Sequence, residues 1–288
     1  MKFQTEHVTI NSLDGYPLPA TIDTPIGLAI KGCFLLLHGC PSYKDEYGFY
    51  GYETRDKIGM SEYFASKGYM CLRFNYRSQD INMSPIDMHD LQINGMVNDT
   101  EAAFLYLTQR AKGNINIYVV ATSFAGSIAL LWEQSFQHNI NHLFLMCPLL
   151  EIRDTLRSRD ITYIDPNGCE RISDDVVIEL NNKGYIISGE RKMTRAFINE
   201  VLAANTQKIF AEYQTPSTIF HGTMDTSVDY RKSIEYQKLN PQNCELILMS
   251  DLLHGFGPRK DLGFSSEERS KLKYATWQNI YAEMEKRL

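Results

Sequence analysis

The chain has 288 residues, and its hydrophobic fraction of 43% is enough for one large core with an inserted segment. The formal net charge of −6 argues against a general nucleic-acid-binding protein, because such proteins neutralise phosphates with a basic surface. No run of about 18 apolar residues predicts a transmembrane helix. The polar start from Met1 to His7 also lacks the apolar centre of a signal peptide. We therefore expect a cytoplasmic protein with no membrane span and no nucleic-acid partner.

The cysteines favour the same compartment. All six are scattered along the chain, and several lie in apolar runs such as residues 33–37. Buried, unpaired thiols are typical of a reducing environment. The sequence holds neither a CxxC pair nor an HExxH motif, so we expect no metal site.

The N-terminal part of the chain predicts strands. Residues 9–10 and 18–22 flank an Asp14-Gly15 turn, whose glycine supplies the positive φ that a hairpin needs. Residues 32–37 form a continuous apolar run that is followed by His38-Gly39. Such a run is typical of a strand covered on both faces.

Helices and strands then alternate along the chain. The predicted helices cover residues 57–67, 87–110, 124–136, 229–239 and 265–287. The predicted strands cover residues 69–74, 115–120, 142–146, 217–220 and 245–249. This alternation indicates an α/β protein with a mainly parallel eight-stranded sheet, flanked by helices on both faces.

Residues 149–212, here named the insertion, break this alternation. They are charged, contain an Asp-Pro-Asn-Gly turn at 165–168, and predict two or three helices but no buried strand. Because ligands bind at the carboxyl ends of strands in open α/β sheets, we expect the insertion to be a helical cap over that edge. The alternative is a long surface excursion. With the insertion as a cap, residues 1–148 and 213–288 form the core of the protein.

Ser123 is the candidate nucleophile, because it lies between a predicted strand and a predicted helix. A nucleophilic serine must stand on a sharp turn that is flanked by small residues. The usual pattern is G-x-S-x-G, whereas here alanine occupies both positions, at Ala121 and Ala125, and Gly126 follows. The alternative is that Ser123 is simply the N-cap of the helix.

Two backbone amides are candidates for an oxyanion hole. The turn after residues 32–37 would supply the N–H of Cys40, and the residue after the nucleophile would supply the N–H of Phe124. Two such donors stabilise a developing oxyanion by a few kcal/mol each. His38 is better interpreted as a brace for this turn than as a base.

Asp225 and His254 are the candidate partners of Ser123. Each follows a predicted strand, and the order Ser, Asp, His is the one expected for a nucleophile on a strand-to-helix turn. Asp229 is the competing carboxylate, although it can instead begin a helix. Glu151 and Asp154 are weaker alternatives.

The motifs His38-Gly39, Ser123, His221-Gly222-x-x-Asp225 and His254-Gly255-Phe256 resemble those of the α/β-hydrolase superfamily, over essentially the full length of the chain. Within it, the chain is similar to serine esterases of the cinnamoyl and feruloyl esterase type and to serine aminopeptidase-like members. The alanines at 121 and 125 depart from the pattern. So does Phe74-Asn75-Tyr76-Arg77, which replaces a D-x-R-G-x-G-like loop and leaves the subfamily open.

The resemblance implies cleavage of a carboxylic ester through an acyl-enzyme, with a small-molecule acyl substrate and no cofactor. A thioesterase or acyltransferase that acts on acyl-CoA or acyl-carrier substrates would use the same residues. A peptidase demands more of the acid step. From another class, the chain could be a non-catalytic binding module on a hydrolase scaffold.

Two further groups of residues have open interpretations. Tyr43, Tyr47, Tyr50 and Tyr52 form either an aromatic wall of the pocket or surface contacts. Arg191, Lys192 and Arg195 could bind an acidic substrate group, but a solvated helix face is favoured.

Overall fold

The computed structural model describes residues 2–46, 57–77, 91–113, 115–189 and 191–288. Its strands are β1 (Phe3–Asn11), β2 (Pro17–Pro25), β3 (Gly32–Leu37), β4 (Tyr69–Phe74), β5 (Asn116–Thr122), β6 (His142–Met146), β7 (Thr162–Ile164), β8 (Glu170–Ile172), β9 (Tyr185–Ser188), β10 (Arg191–Thr194), β11 (Ser217–Gly222) and β12 (Cys244–Met249). Its helices are α1 (Met60–Ser66), α2 (Ile93–Ala111), α3 (Ala125–Phe136), α4 (Asp154–Arg157), α5 (Asp174–Lys183), α6 (Arg195–Ala203), α7 (Thr206–Ala211), α8 (Tyr230–Leu239) and α9 (Ser266–Glu285).

Eight of these strands form one sheet in the order β1-β2-β4-β3-β5-β6-β11-β12. The pairs β1–β2 and β2–β4 are antiparallel, and all other neighbours are parallel. The predicted hairpin and the predicted mainly parallel sheet of eight strands are confirmed. The hairpin strands are longer than predicted, because their ends are polar and hide the strand pattern.

The strand β3 shows why the centre of the sheet is apolar on both faces. Cys33 and Leu35 belong to a hydrophobic cluster that includes residues of α2 and α3. Phe34 and Leu36, which point the other way, belong to a second cluster with residues of α1 and α9. A strand alternates its side chains between the two faces, so a strand covered twice must be apolar throughout.

The helices agree with the sequence prediction except at two starts. The helix α1 begins at Met60 instead of residue 57, and α2 begins at Ile93 instead of residue 87. Residues 78–90 lie outside the described part of the chain. Within the described ranges, no helix combines the length and the apolar character needed to cross a membrane.

The insertion lies between β6 and β11 and is richer in structure than predicted. It contains the helices α4 to α7 and two small antiparallel sheets, β7–β8 and β9–β10. The sequence predicts two or three helices and no buried strand; the described residues of the insertion form four helices and four short strands, and none of these strands is buried over its whole length. Strands of three or four residues are too short to show an alternating pattern, and only the turn glycines Gly168 and Gly189, both at positive φ, mark them.

Candidate active site

Ser123 occupies a strained turn between β5 and α3. Its φ is 51°, a left-handed conformation that costs a non-glycine residue of order 1 kcal/mol or more. The backbone around it holds this conformation: the N–H of Ser123 donates to the carbonyl of Met146 at 2.9 Å, and its own carbonyl accepts from Gly126 at 3.0 Å and Leu149 at 2.8 Å. The N-cap of α3 is Phe124, so the alternative interpretation of Ser123 as a helix cap was wrong.

Small residues occupy the positions around the Ser123 turn where neighbouring atoms are closest. A Cβ on Gly126 would lie 2.7 Å from the Cβ of Pro148, and a Cβ on Gly39 would lie 3.1 Å from the Cβ of Ser123. Ala121 and Ala125 are fully buried. A side chain at 126 would therefore displace Pro148, and one at 39 would force Ser123 or its own loop to move by a few tenths of an ångström, while the core accommodates the methyl groups of the two alanines.

Asp225 and His254 meet at the carboxyl edge of the sheet. The Nδ1 of His254 donates to the Oδ2 of Asp225 at 2.7 Å, and the Nε2 of His221 donates to the same oxygen at 3.1 Å. The other carboxylate oxygen accepts from the amides of Ser227 at 2.8 Å and Val228 at 3.0 Å. The carboxylate side chain is fully buried, whereas 28% of the His254 side chain is exposed.

This environment keeps Asp225 ionised. Burial alone would raise the pKa of Asp225, but the hydrogen bonds from His221 and His254 outweigh it and hold the pKa well below its usual range. A charged carboxylate at Nδ1 fixes the His254 tautomer and leaves Nε2 to act as an acceptor.

The competing carboxylates are used elsewhere. Asp229 caps α8 by accepting from the amide of Arg231 at 3.0 Å, and it pairs with the Arg231 side chain. Asp154 pairs with Arg157 at 3.3 Å. Glu151, like these two, lines the cavity described next, but His254 is hydrogen-bonded only to Asp225 among the described residues.

Ser123 and His254 line one cavity of about 1080 Å³. Its walls come from the turn after β3, from the loops after β11 and β12, and from the insertion. In the described part of the chain, the Ser123 hydroxyl is not hydrogen-bonded to His254. Catalytic hydrogen bonds of this kind are often long without a substrate and shorten when one binds.

The two candidate oxyanion residues line the same cavity. Phe124 follows the nucleophile candidate, and its amide donates to no acceptor among the described residues. Cys40 follows Gly39, whose close approach to Ser123 brings the turn next to the hydroxyl. The arrangement places both backbone segments beside Ser123.

The buried side chain of His38 supports the turn after β3. Its Nδ1 donates to the carbonyl of Gly39 at 2.7 Å, and its Nε2 accepts from the amide of Tyr76 at 3.2 Å. Burial lowers the pKa of His38 to about 4, so the ring is neutral at physiological pH. The side chain is fully buried and does not line the cavity, in agreement with its interpretation as a brace.

Glu46 is one residue that the sequence analysis missed. It accepts from the hydroxyl of Thr122 at 2.8 Å, one residue before Ser123, and from the hydroxyl of Ser42. Burial raises the pKa of Glu46, although these hydrogen bonds and the charges of His254 and Lys273 oppose the rise. Burial also lowers the pKa of Lys273 to about 8. Only the position of Glu46 shortly after the oxyanion turn could have pointed to it.

Cys147 is a second such residue. It follows the last residue of β6 with a φ of 43°, and its Sγ lies within 4.8 Å of ligand-type atoms of both Asp225 and His254. Burial raises the pKa of the Cys147 thiol, so it is neutral and packs against the Asp–His pair. The sequence shows only a cysteine after an apolar strand.

The cationic and aromatic groups are arranged differently from the sequence expectation. Arg191 begins β10, is only 9% exposed and lines the cavity, so its interpretation as part of a solvated helix face was wrong. Lys192 lies over the ring of Tyr185, and Arg195 donates to Asn181. Tyr43 lines the cavity. Tyr47, Tyr50 and Tyr52 lie outside the described residues.

Comparison with solved structures supports the architecture. Est1E from Butyrivibrio proteoclasticus, solved with ferulic acid bound, shares 18% identity at a TM-score of 0.69 and aligns over 96% of this chain and 98% of its own. The esterase domain of a Rhodothermus marinus protein shares 14% identity at a TM-score of 0.61, over 97% and 98% of the two chains. The acylaminoacyl peptidase of Pyrococcus horikoshii shares 16% identity at a TM-score of 0.62, over all of this chain and 42% of its own.

Sequence comparison adds a family match. No curated protein matches the chain. Residues 32–166 match the family model described as the alpha/beta hydrolase fold. They include β3 to β6 of the sheet, and the strand order and the Ser123 turn agree with that assignment. The chain is therefore a protein of the α/β-hydrolase fold, similar in structure to esterases and to an acylaminoacyl peptidase.

Proposed function

We propose that the protein is a serine hydrolase that cleaves carboxylic esters, with Ser123, His254 and Asp225 as its catalytic triad. The observation that carries this proposal is the Asp225–His254 hydrogen bond of 2.7 Å on the wall of the cavity that also exposes Ser123 on a strained turn. A buried carboxylate, an oriented imidazole and a raised serine are the parts that acyl transfer requires.

The reaction would proceed in two steps. The Oγ of Ser123 attacks the ester carbonyl carbon while the Nε2 of His254 takes the hydroxyl proton, and the amides of Cys40 and Phe124 stabilise the oxyanion. When the carbon–oxygen bond to the alcohol breaks, His254 gives its proton to the leaving oxygen. Water, deprotonated by the same histidine, then attacks the carbonyl carbon of the acyl-enzyme. The bond from that carbon to the Oγ of Ser123 breaks, His254 returns the proton to Oγ, and the acid leaves.

The choice of an ester rests on the relatives. The similar structures include an esterase domain and a protein with bound ferulic acid. Ester alcohols also leave more readily than amines, so an ester requires less of the acid step. The six free cysteines, five of them buried, support our accompanying proposal of a reducing, cytoplasmic location.

We also propose that the insertion is a cap over the site. Leu150, Thr155, Arg159 and Arg191 of the insertion line the same cavity as the loops that follow β11 and β12. A cap at this position would exclude water and select the substrate.

The test compares Ser123→Ala with the matched control Ser135→Ala, whose hydroxyl lies on the exposed side of α3 and donates only to the carbonyl of Leu131. We expect Ser123→Ala to lose turnover of 4-nitrophenyl butyrate and labelling by a fluorophosphonate, while Ser135→Ala retains both. Turnover retained by Ser123→Ala would refute the proposal. Labelling without ester turnover, together with turnover of acyl-CoA, would identify a thioesterase, and no labelling at all would indicate a binding module.

A further inference from the structure

Two arginines of the insertion, Arg159 and Arg191, line the same cavity as Ser123. The guanidinium of Arg191 donates to the carbonyl of Cys40 and lies 5.7 Å from the ring centre of Phe124. That of Arg159 donates to the carbonyl of Thr155 at 2.9 Å. Neither forms an ion pair with any described carboxylate.

The guanidinium groups of Arg159 and Arg191 are close enough for the charge of one to affect the pKa of the other. Burial lowers the pKa of Arg159, and the charge of Arg191 lowers it further. Two like charges in a partly buried wall are unfavourable unless an anion lies between them, and guanidinium groups remain charged. Like charges at this distance favour an anion between them, and no described residue supplies one.

Three of the four described carboxylates that line the cavity lie near other basic residues. Asp154 pairs with Arg157, and Asp229 pairs with Arg231. Glu151 acts electrostatically on Lys232, as Asp154 also does. Glu46, the fourth, accepts from the hydroxyls of Thr122 and Ser42. None of these four described carboxylates forms an ion pair with Arg159 or Arg191, which leaves the arginine pair to a ligand.

We infer that Arg159 and Arg191 bind a carboxylate of the substrate, so that the preferred ester carries a negative charge a few bonds from its reacting carbonyl. Arg191 contacts Cys40 and Phe124, whose amides are the oxyanion-hole candidates. A carboxylate bound to Arg191 would therefore lie close to the reacting carbonyl. A carboxylate suits the pair, because each of its two oxygens can accept from one guanidinium. This inference rests on the proposed ester hydrolysis.

The carboxylate can lie on the acyl side or on the alcohol side of the ester, and matched substrates separate the two. The first pair is mono-4-nitrophenyl glutarate and its neutral carboxamide analogue. The second is 4-acetoxybutanoate and 4-acetoxybutanamide. For one of the pairs, we expect the unmodified protein to show a kcat/KM about ten- to a hundredfold higher for the charged member, the range typical of a hydrogen bond to a charged group.

Three variants test whether the arginines cause the preference. Arg159→Met should bring the ratio of charged to neutral kcat/KM close to one, and Arg159→Lys should restore part of it. Arg171→Met is the matched control, because Arg171 also lies in the insertion but pairs with Asp165, is largely exposed and does not line the cavity. It should keep the full ratio.

Glutarate supplies a readout that needs no turnover. As a ligand of the arginine pair, it should slow fluorophosphonate labelling of Ser123 in the unmodified protein and in Arg171→Met, and have little effect in Arg159→Met. Equal kcat/KM values within both substrate pairs together with no protection by glutarate, or a preference that survives in Arg159→Met, would overturn the inference. Hydrolysis of neutral esters by Ser123 would stand in either case, whereas turnover by Ser123→Ala would refute the hydrolase proposal itself.

Discussion

At the scale of single residues, the strained turn of Ser123 depends on what its neighbours lack. Gly39 belongs to a different strand end, yet its Cα faces the nucleophile candidate closely enough that a methyl group would touch the Ser123 Cβ at 3.1 Å and its Oγ at 3.7 Å. The site thus depends on the absence of a side chain as much as on the side chains present.

Replacement of this glycine tests the close approach. We expect Gly39→Ala to lower kcat/KM for 4-nitrophenyl butyrate by at least about tenfold, because a misplacement of reacting groups by 1 Å costs up to about 100-fold. Gly257→Ala is the control, since its new Cβ would meet only the Lys273 side chain, at 3.7 Å. Full activity in Gly39→Ala would show that the turn tolerates the methyl group.

The choice between the two aspartates gives a second prediction at this scale. Asp225→Asn should reduce kcat by about 10³–10⁴-fold, because the amide cannot hold His254 in the required tautomer or stabilise its cation. Asp229→Asn should stay within about twofold of the unmodified protein, because Asp229 contacts Arg231 at the surface. Steady-state measurement of kcat for both variants tests this choice. A larger loss of kcat in Asp229→Asn than in Asp225→Asn would make Asp229 the partner of His254.

Residues whose position follows from a strand end could be predicted from the sequence. Ser123, Asp225 and His254 each follow a strand, and the structure brings them to one edge of the sheet. The sequence left Arg191 between a substrate contact and a solvated helix face and assigned no role to Glu46, because the position of each relative to Ser123 depends on how a distant loop or the insertion packs. Short-range patterns contain no information on that packing.

At the scale of elements, a residue of the insertion caps the N-terminus of a helix of the core. The N-cap of α2, Gln92, makes no side-chain capping bond. Instead, Glu200 of α6 accepts from the amide of Ile93 and from the side-chain amide of Asn94, both at 2.7 Å. A carboxylate at this end satisfies an open donor and opposes the positive end of the helix dipole.

Removal of the contact between Glu200 and the start of α2 should destabilise both the core and the insertion. We expect Glu200→Ala to lower the free energy of unfolding by about 1 kcal/mol and to speed proteolysis within residues 149–212. Urea unfolding and limited proteolysis measure the two effects. Glu179→Ala is the control, because Glu179 forms only an exposed pair with Lys183. Equal stability of the two variants would show that the contact contributes nothing.

The same contrast between core and insertion governs what the sequence could predict about elements. The strands β3 and β6 are long apolar runs, because both of their faces are covered. The strands β7 to β10 have three or four residues and mixed burial, so their pairing depends on turns and on contacts with distant helices. A residue pattern cannot specify such strands by itself.

At the scale of the whole molecule, two buried histidines couple stability to pH. Burial lowers the pKa values of both His38 and His142 to about 4. In the unfolded chain they would titrate near pH 6.5, so between these values the unfolded state binds more protons. Stability is therefore complete above about pH 6.5 and falls as the pH drops towards 4.

This coupling can be measured by urea unfolding at pH 7 and pH 5. Each histidine should remove about 2 kcal/mol of stability over this range. His142→Gln should reduce the loss by about that amount, whereas His7→Gln, at an exposed position of β1, should leave it unchanged. An identical loss in His142→Gln would contradict the role of burial.

The hydrogen bond from the amide of Leu149 to the carbonyl of Ser123 has a consequence for protein engineering. The hydroxyl of Ser127 also donates to the carbonyl of Leu149 at 2.5 Å, so this first residue of the insertion is fixed to both sides of the nucleophile turn. A chimera that receives the corresponding segment of another hydrolase should therefore be joined after Leu150. A junction placed before Leu149 would exchange part of the scaffold of the Ser123 turn along with the insertion.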